Sequence, residues 1–316
     1  MKSLRQGLAV LGHTGPFSWQ EHLHCPPPSV RELLGYCTDS RVNEWVRWPE
    51  PMWQVDNEAW TEEAQGVTWG RDGWYVATNA DDGREGLYRL VPGTSSATWT
   101  RLAPRLATGT VHHGAPCEWE EWIYVPVQHA TWGVWKVRAD FTADAVLTAA
   151  DRPADDLFPW CDVNPANGLL YTCNFSFPTK LYAYDASATV DGVMPRVDKE
   201  DITLHWGDPP PNGVQGACFT TNRRLLMIHD VKDDDEDELV QCYSAITGRL
   251  LGQMSLHADA DESTPTTLNE LESVRLATVT AKGVTTHIQV LELNNEGFSE
   301  DDFYLWGIAV PDPSLL

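Results

Sequence analysis

The sequence predicts an all-β propeller of five blades, with six as the alternative count, its ring closed by the terminal segments. Three observations predict it. One pattern recurs about every 46–57 residues: a short polar motif with Gly or Pro, a strand, a turn, an aromatic-rich second strand and an alternating third. That period is the spacing of propeller blades. Fifteen Trp in 316 residues supply large side chains for the wedges between stacked sheets. No long amphipathic helix pattern interrupts the repeats, which excludes an α/β arrangement.

Residues 1–60 lack the repeat and are expected to wrap the ring and add a strand to the closing blade, leaving 61–316 as the propeller within one structural domain. A short helix is expected over 29–34, after Pro26-Pro27-Pro28. The first blade opens at Gln65-Gly66-Val67, continues through Trp74 to Ala77 and Gly86 to Leu90, and has Thr98 to Leu102 as its outer strand. The second opens at His112-His113-Gly114, with strands at Trp122 to Val127 and Gly133 to Val137. The third opens at Pro159-Trp160-Cys161-Asp162, turns at Asn164 to Gly168, and continues through Leu169 to Thr172 and Lys180 to Tyr184. The fourth opens at Gln215-Gly216-Ala217, followed by Leu225 to His229 and Val240 to Tyr243. Its acidic run Asp233 to Glu238 reads as a solvated hairpin loop. The fifth opens at Glu270-Leu271-Glu272, with strands at Ser273 to Val279, His287 to Leu291 and Phe303 to Trp306.

The charge balance narrows the partners. With 46 acidic and 22 basic residues the net charge is −24, a field that repels nucleic acid and anionic membranes. The apolar run after the basic start is too short for a signal-peptide core, and no stretch approaches the roughly 20 apolar residues of a membrane span. The seven Cys are odd in number and lack CxxC spacing, so Cys117, Cys161, Cys173, Cys218 and Cys242 read as reduced, buried strand residues. A cytoplasmic, monomeric protein is the expectation.

Equivalent blade positions converge on one axis, so the opening motifs become neighbours. Gln65, His112, Trp160 or Asp162, Gln215, and Glu270 or Glu272 would ring one mouth of the channel. Buried polar groups need partners, and a concave mouth with a few convergent polar groups is a default ligand site. A water-filled structural channel is the competing reading. In the ligand reading His112 is the acid/base, and Glu270, Glu272 or Asp162 is its partner carboxylate. Gln65, Gln215, His113 and Trp160 would hold substrate, and His112 with Glu270 could also ligate a divalent metal ion at the axis. The His22-x-His24-Cys25 cluster and the stretch Asp162-Val163-Asn164 lack the spacing of known metal loops. Serine-hydrolase, Walker and dinucleotide glycine patterns are absent.

Taken together, the openings resemble those of a group of single-domain propeller proteins of bacteria and fungi with no established activity. The resemblance rests on Gln65-Gly66, on His112-His113-Gly114 with Tyr124-Val125-Pro126-Val127, on Val163 through Tyr171, on Val214-Gln215-Gly216 and on Glu270-Leu271-Glu272. The chain departs from that group at Ala115, where Asp is frequent, and at Ser273, where Gly is more usual. The resemblance implies the fold and no particular chemistry. The residues themselves leave three functions open: an enzyme acting on a small organic molecule by hydrolysis, elimination, isomerisation or cyclisation without a redox cofactor; a carbohydrate-binding, lectin-like propeller; and a protein-interaction scaffold. Five different opening motifs favour one asymmetric site, and so the enzyme.

Overall fold

A computed structural model describes 46–47, 53–55, 60–61, 63–70, 73–80, 83–91, 98–102, 112–128, 133–151, 158–206, 212–229, 238–256, 269–281, 284–294, 302–310 and 316. The helix expected at 29–34, residues 233–237 of the acidic run and the cluster His22 to Cys25 lie outside the described residues, and Glu238, the last of the run, opens a strand. Two short strands, β1 (Val46–Arg47) and β2 (Trp53–Val55), precede the first blade. That blade comprises β3 (Ala64–Gly70), β4 (Gly73–Thr78), β5 (Gly86–Val91) and β6 (Thr98–Leu102). The second has a split inner strand, β7 (His112–His113) and β8 (Cys117–Trp119), then β9 (Trp122–Gln128), β10 (Gly133–Arg138) and β11 (Asp144–Ala149).

In the third blade, β12 (Asp162–Val163), β13 (Leu170–Thr172) and β14 (Lys180–Tyr184) are followed by β15 (Val193–Met194) and β16 (Ile202–Thr203). Strand β16 completes this sheet, whereas β15 crosses over to pair in parallel with β11 of the second blade. The fourth blade is β17 (Val214–Phe219), β18 (Arg224–His229), β19 (Glu238–Ser244) and β20 (Leu250–Leu256). The fifth is β21 (Asn269–Ala281), β22 (Val284–Asn294) and β23 (Asp302–Ala309), with β1 and β2 both antiparallel to β23. Among the described residues the sheets number five, so the six-blade count falls away.

The ring closes. Inner strands touch in the cyclic order β3, β8, β12, β17, β21 and back to β3. Each gap between neighbouring blades holds its own apolar cluster. The gap between the last and first blades, for example, buries Val67, Val76 and Tyr88 against Leu291, Leu293 and Leu305. Burying these faces is what holds flat sheets radially, since a single blade cannot cover its own apolar surface. Trp74, Trp135, Trp160 and Trp306 are buried, as wedge fillers should be. The five described cysteines are buried and form no disulfide with one another. Among the described residues no helix is long and apolar enough to cross a membrane.

Close approach at the axis dictates two glycines. A Cβ on Gly114 would stand 2.0 Å from the Pro159 carbonyl oxygen of the next blade. One on Gly66, whose φ is +149°, would stand 2.6 Å from Ala115 Cα. Only Gly lets the inner strands come this near.

Candidate functional site

The inner strands begin with a shared irregularity. The register slips between Ala64 and Gly66 in β3, between Val214 and Gly216 in β17, and between Leu271 and Ser273 in β21. The extra residues are Gln65, Gln215 and Glu272. A bulge bends its strand and re-aims a side chain, so one device in three blades presents three polar groups at one mouth.

There Gln215 Nε2 lies 3.4 Å from Glu270 Oε2 and 3.4 Å from Glu272 Oε1. An amide nitrogen can only donate, so it draws both carboxylates toward one point. Their oxygens are therefore less than about 7 Å apart, compatible with the roughly 5–9.5 Å span of paired carboxylates in glycoside cleavage. Glu272 is buried and Glu270 half-buried. His112 is exposed at the start of β7 and within the field of Glu270. Desolvation lowers its pKa below the usual 6.5, and the Glu270 charge works against that shift. Gln65 is buried in the equivalent bulge of the first blade.

Three residues expected at this mouth are placed elsewhere. His113 is fully buried: Asn79 Oδ1 accepts from its backbone N–H at 2.7 Å and stands 3.0 Å from Nδ1, while Asn79 Nδ2 donates to its carbonyl at 3.3 Å. Oδ1 only accepts, so Nδ1 carries the proton, and the residue clamps the second blade to the first instead of meeting substrate. Trp160 is likewise enclosed, its indole N–H donating to Cys173 Sγ at 3.1 Å. Asp162 belongs to the opposite end of the axis. Its Oδ2 accepts from Phe219 N–H at 2.6 Å, and Phe219 lies four residues beyond Gln215 on β17, roughly 13 Å along a strand.

Between the two ends stands Arg275, which the sequence reading did not single out. It is buried, and its guanidinium donates to the carbonyls of Pro116 (2.6 Å), Cys161 (3.0 Å), Ala115 (3.3 Å), Val274 (3.2 Å) and Ala217. Those carbonyls belong to blades two through five. The first blade is tied by Val67 N–H donating to Ser273 Oγ at 2.9 Å. The signal for Arg275 was a lone basic residue amid Leu271, Val274, Leu276 and Ala277.

Among the described residues no cluster of three or more His, Cys, Asp or Glu is arranged to hold a metal ion. Burial also governs two imidazoles. His113 and His229 are both fully buried, and desolvation lowers each pKa to about 4. Unfolding returns them toward 6.5, so between about pH 6.5 and 4 the unfolded chain binds more protons. Their contribution to stability is complete above 6.5 and is lost as pH falls toward 4. Asp162, raised to about 6 by burial against the opposing pull of Arg275, acts in the reverse sense between 6 and 3.8. Two imidazoles outweigh one carboxyl, so the urea midpoint at pH 4.5 is expected below that at pH 7.5. A flat or rising midpoint would contradict the burial of these rings.

No family model and no curated protein matches the chain. Solved structures do. The tail fibre of Staphylococcus aureus phage P68 superposes with a TM-score of 0.51 at 11% identity, over 86% of this chain and 54% of that one. The chain thus spans about half of the fibre's length. A gluconolactonase of Xanthomonas campestris matches with a TM-score of 0.41 at 12% identity, over 83% of this chain and 88% of that one. A protein from Lactobacillus plantarum matches with a TM-score of 0.38 at 15% identity, over 77% and 69%. At such identities the tail fibre shares the fold alone, and the two weaker matches carry nothing about activity.

Proposed function

We propose that the protein is an enzyme acting on a small organic molecule by proton transfer at the mouth where the inner strands begin. The observation that supports this most is the Gln215 amide within 3.4 Å of both Glu270 and Glu272, with His112 in the field of Glu270. Each member has a separable task. His112, held below 6.5, is the free base at neutral pH and is exposed, so it can take a proton from substrate or from water. The Glu270 carboxylate stabilises the imidazolium that results, and the same ring returns the proton to the departing or rearranging atom. Glu272 and Gln215, half-buried or buried, orient that carboxylate and offer a donor and an acceptor to substrate. Hydrolysis, elimination, isomerisation and cyclisation all fit this proton cycle, and none needs a redox cofactor.

The test is a chromogenic panel of p-nitrophenyl esters and glycosides run with the wild type, His112→Ala, Glu270→Gln and Asp191→Asn. Asp191 lies on an exposed outer turn and serves as the control. Turnover lost in the first two variants and kept in the third is the expected result. Turnover unaffected by His112→Ala would overturn the assignment, and saturable glycan binding without turnover would replace it with the lectin reading.

A further inference from the structure

The end of the axis where Asp162 lies holds a cavity of about 240 Å³ whose wall draws on all five blades, with Trp69, Trp119, Val163, Phe219 and Leu276 among its apolar members. An engineered apolar cavity of roughly 150 Å³ accommodates one benzene ring, so this space suits two fused rings. Exposed Thr278 forms part of the wall, so the cavity reaches solvent. It lies away from the mouth at which Gln215 meets Glu270 and Glu272.

The charged groups of the wall are already answered within the protein. Asp162 Oδ2 accepts from Phe219 N–H at 2.6 Å, and the carboxyl group faces the Arg275 cation. Arg275 directs its guanidinium N–H groups to five backbone carbonyls, so none is left for an anion. Glu118 Oε1 accepts from Glu121 N–H at 3.1 Å, and its side chain is only half-buried. A charged ligand would therefore enter an apolar cup without a counter-charge of its own, a cost that an uncharged molecule avoids. His287 adds a point of recognition. Its Nδ1 accepts from Val310 N–H at 3.4 Å, which places the ring proton on Nε2, and desolvation lowers its pKa, so the ring is neutral. Among the described residues no acceptor meets that Nε2–H, and a ligand oxygen would complete it.

We propose that this cavity binds an uncharged two-ring aromatic molecule bearing a carbonyl oxygen, its rings against Trp69, Trp119 and Phe219 and its oxygen accepting from His287 Nε2–H. Three aromatic side chains from three blades offer flat apolar faces to such rings. The assignment is independent of the proton-transfer reading at the other mouth.

The probes are α-tetralone, its carbonyl-free relative tetralin, the anion α-naphthoate and the cation α-naphthylmethylammonium, each titrated by calorimetry with thermal shift alongside. α-Tetralone is expected to bind saturably and at least about tenfold more tightly than either ion. His287→Phe keeps an aromatic ring and loses the donor, so it should weaken α-tetralone about threefold or more and leave tetralin within about twofold. Thr278→Trp, which fills the solvent-facing wall and leaves the axis untouched, should abolish binding of both while the protein remains folded. An ion bound as tightly as α-tetralone, α-tetralone affinity unchanged in His287→Phe, or binding undiminished in the folded Thr278→Trp variant would each overturn the proposal. Absence of saturable α-tetralone binding at millimolar concentration would do the same.

Discussion

Replacing Arg275 by Met is expected to lower stability by at least about 4 kcal/mol and the melting temperature by roughly 6 °C or more. Methionine fills much of the volume but donates nothing. The carbonyls of Ala115, Pro116, Cys161 and Ala217 then lose a charged donor at the centre of the ring. Each buried carbonyl left short of a donor costs about 1–3 kcal/mol. Asp162 loses its nearest cation as well, so its pKa rises further and its ionised form becomes an added burden near neutrality. Arg275→Lys should recover only part of the loss, because an ammonium has three donors and no planar fork. A methionine variant melting within a few degrees of the wild type would show that apolar wedges alone close the ring.

Glu270→Gln is expected to leave the melting temperature nearly unchanged and to reduce turnover by about 10²–10⁴-fold. The side chain is half-buried, and glutamine keeps its shape. What disappears is the charge that steadies the His112 imidazolium. His112→Ala should fall in the same range, and the double variant should lose little more than either alone, since groups acting as one unit are non-additive. Circular dichroism and melting curves confirm that the comparison is between folded proteins. A Glu270→Gln enzyme with wild-type turnover would remove the carboxylate from the mechanism.

Much of the fold was legible because turns and alternation agree locally. In the first blade, Gly86 to Leu90 was expected and β5 ends one residue later at Val91. The strand Lys180 to Tyr184 coincides with β14. The pieces that escaped were outer ones such as β11, whose residues 144–149 are mostly half-buried or exposed and carry no clean period. The crossover strand β15 is two residues long, below the length at which any pattern exists.

The site was legible to the extent that it depends on repeat position. Gln215, Glu270 and Glu272 meet because they open adjacent blades. Asp162 was misplaced by counting from Pro159: the parallel bridge sets Trp160, not Asp162, level with Ala115, so Asp162 falls further along its strand. Arg275 escaped for a related reason. In one strand it is a single basic residue that solvent could satisfy, and only five carbonyls arriving from four blades make it central. Likewise His112 and His113 are adjacent in sequence, yet one is exposed and its neighbour is sealed against Asn79 and Trp135.

The pairing of His112 with Glu270 is tested most directly by an NMR pH titration of the His112 ring in the wild type and in Glu270→Gln. The wild-type pKa is predicted below 6.5, and removing the carboxylate is predicted to lower it further, since Glu270 is the group that favours the charged ring. An unchanged pKa in the variant would show that the two side chains do not act on each other, and the proposed acid/base centre would fall with that result.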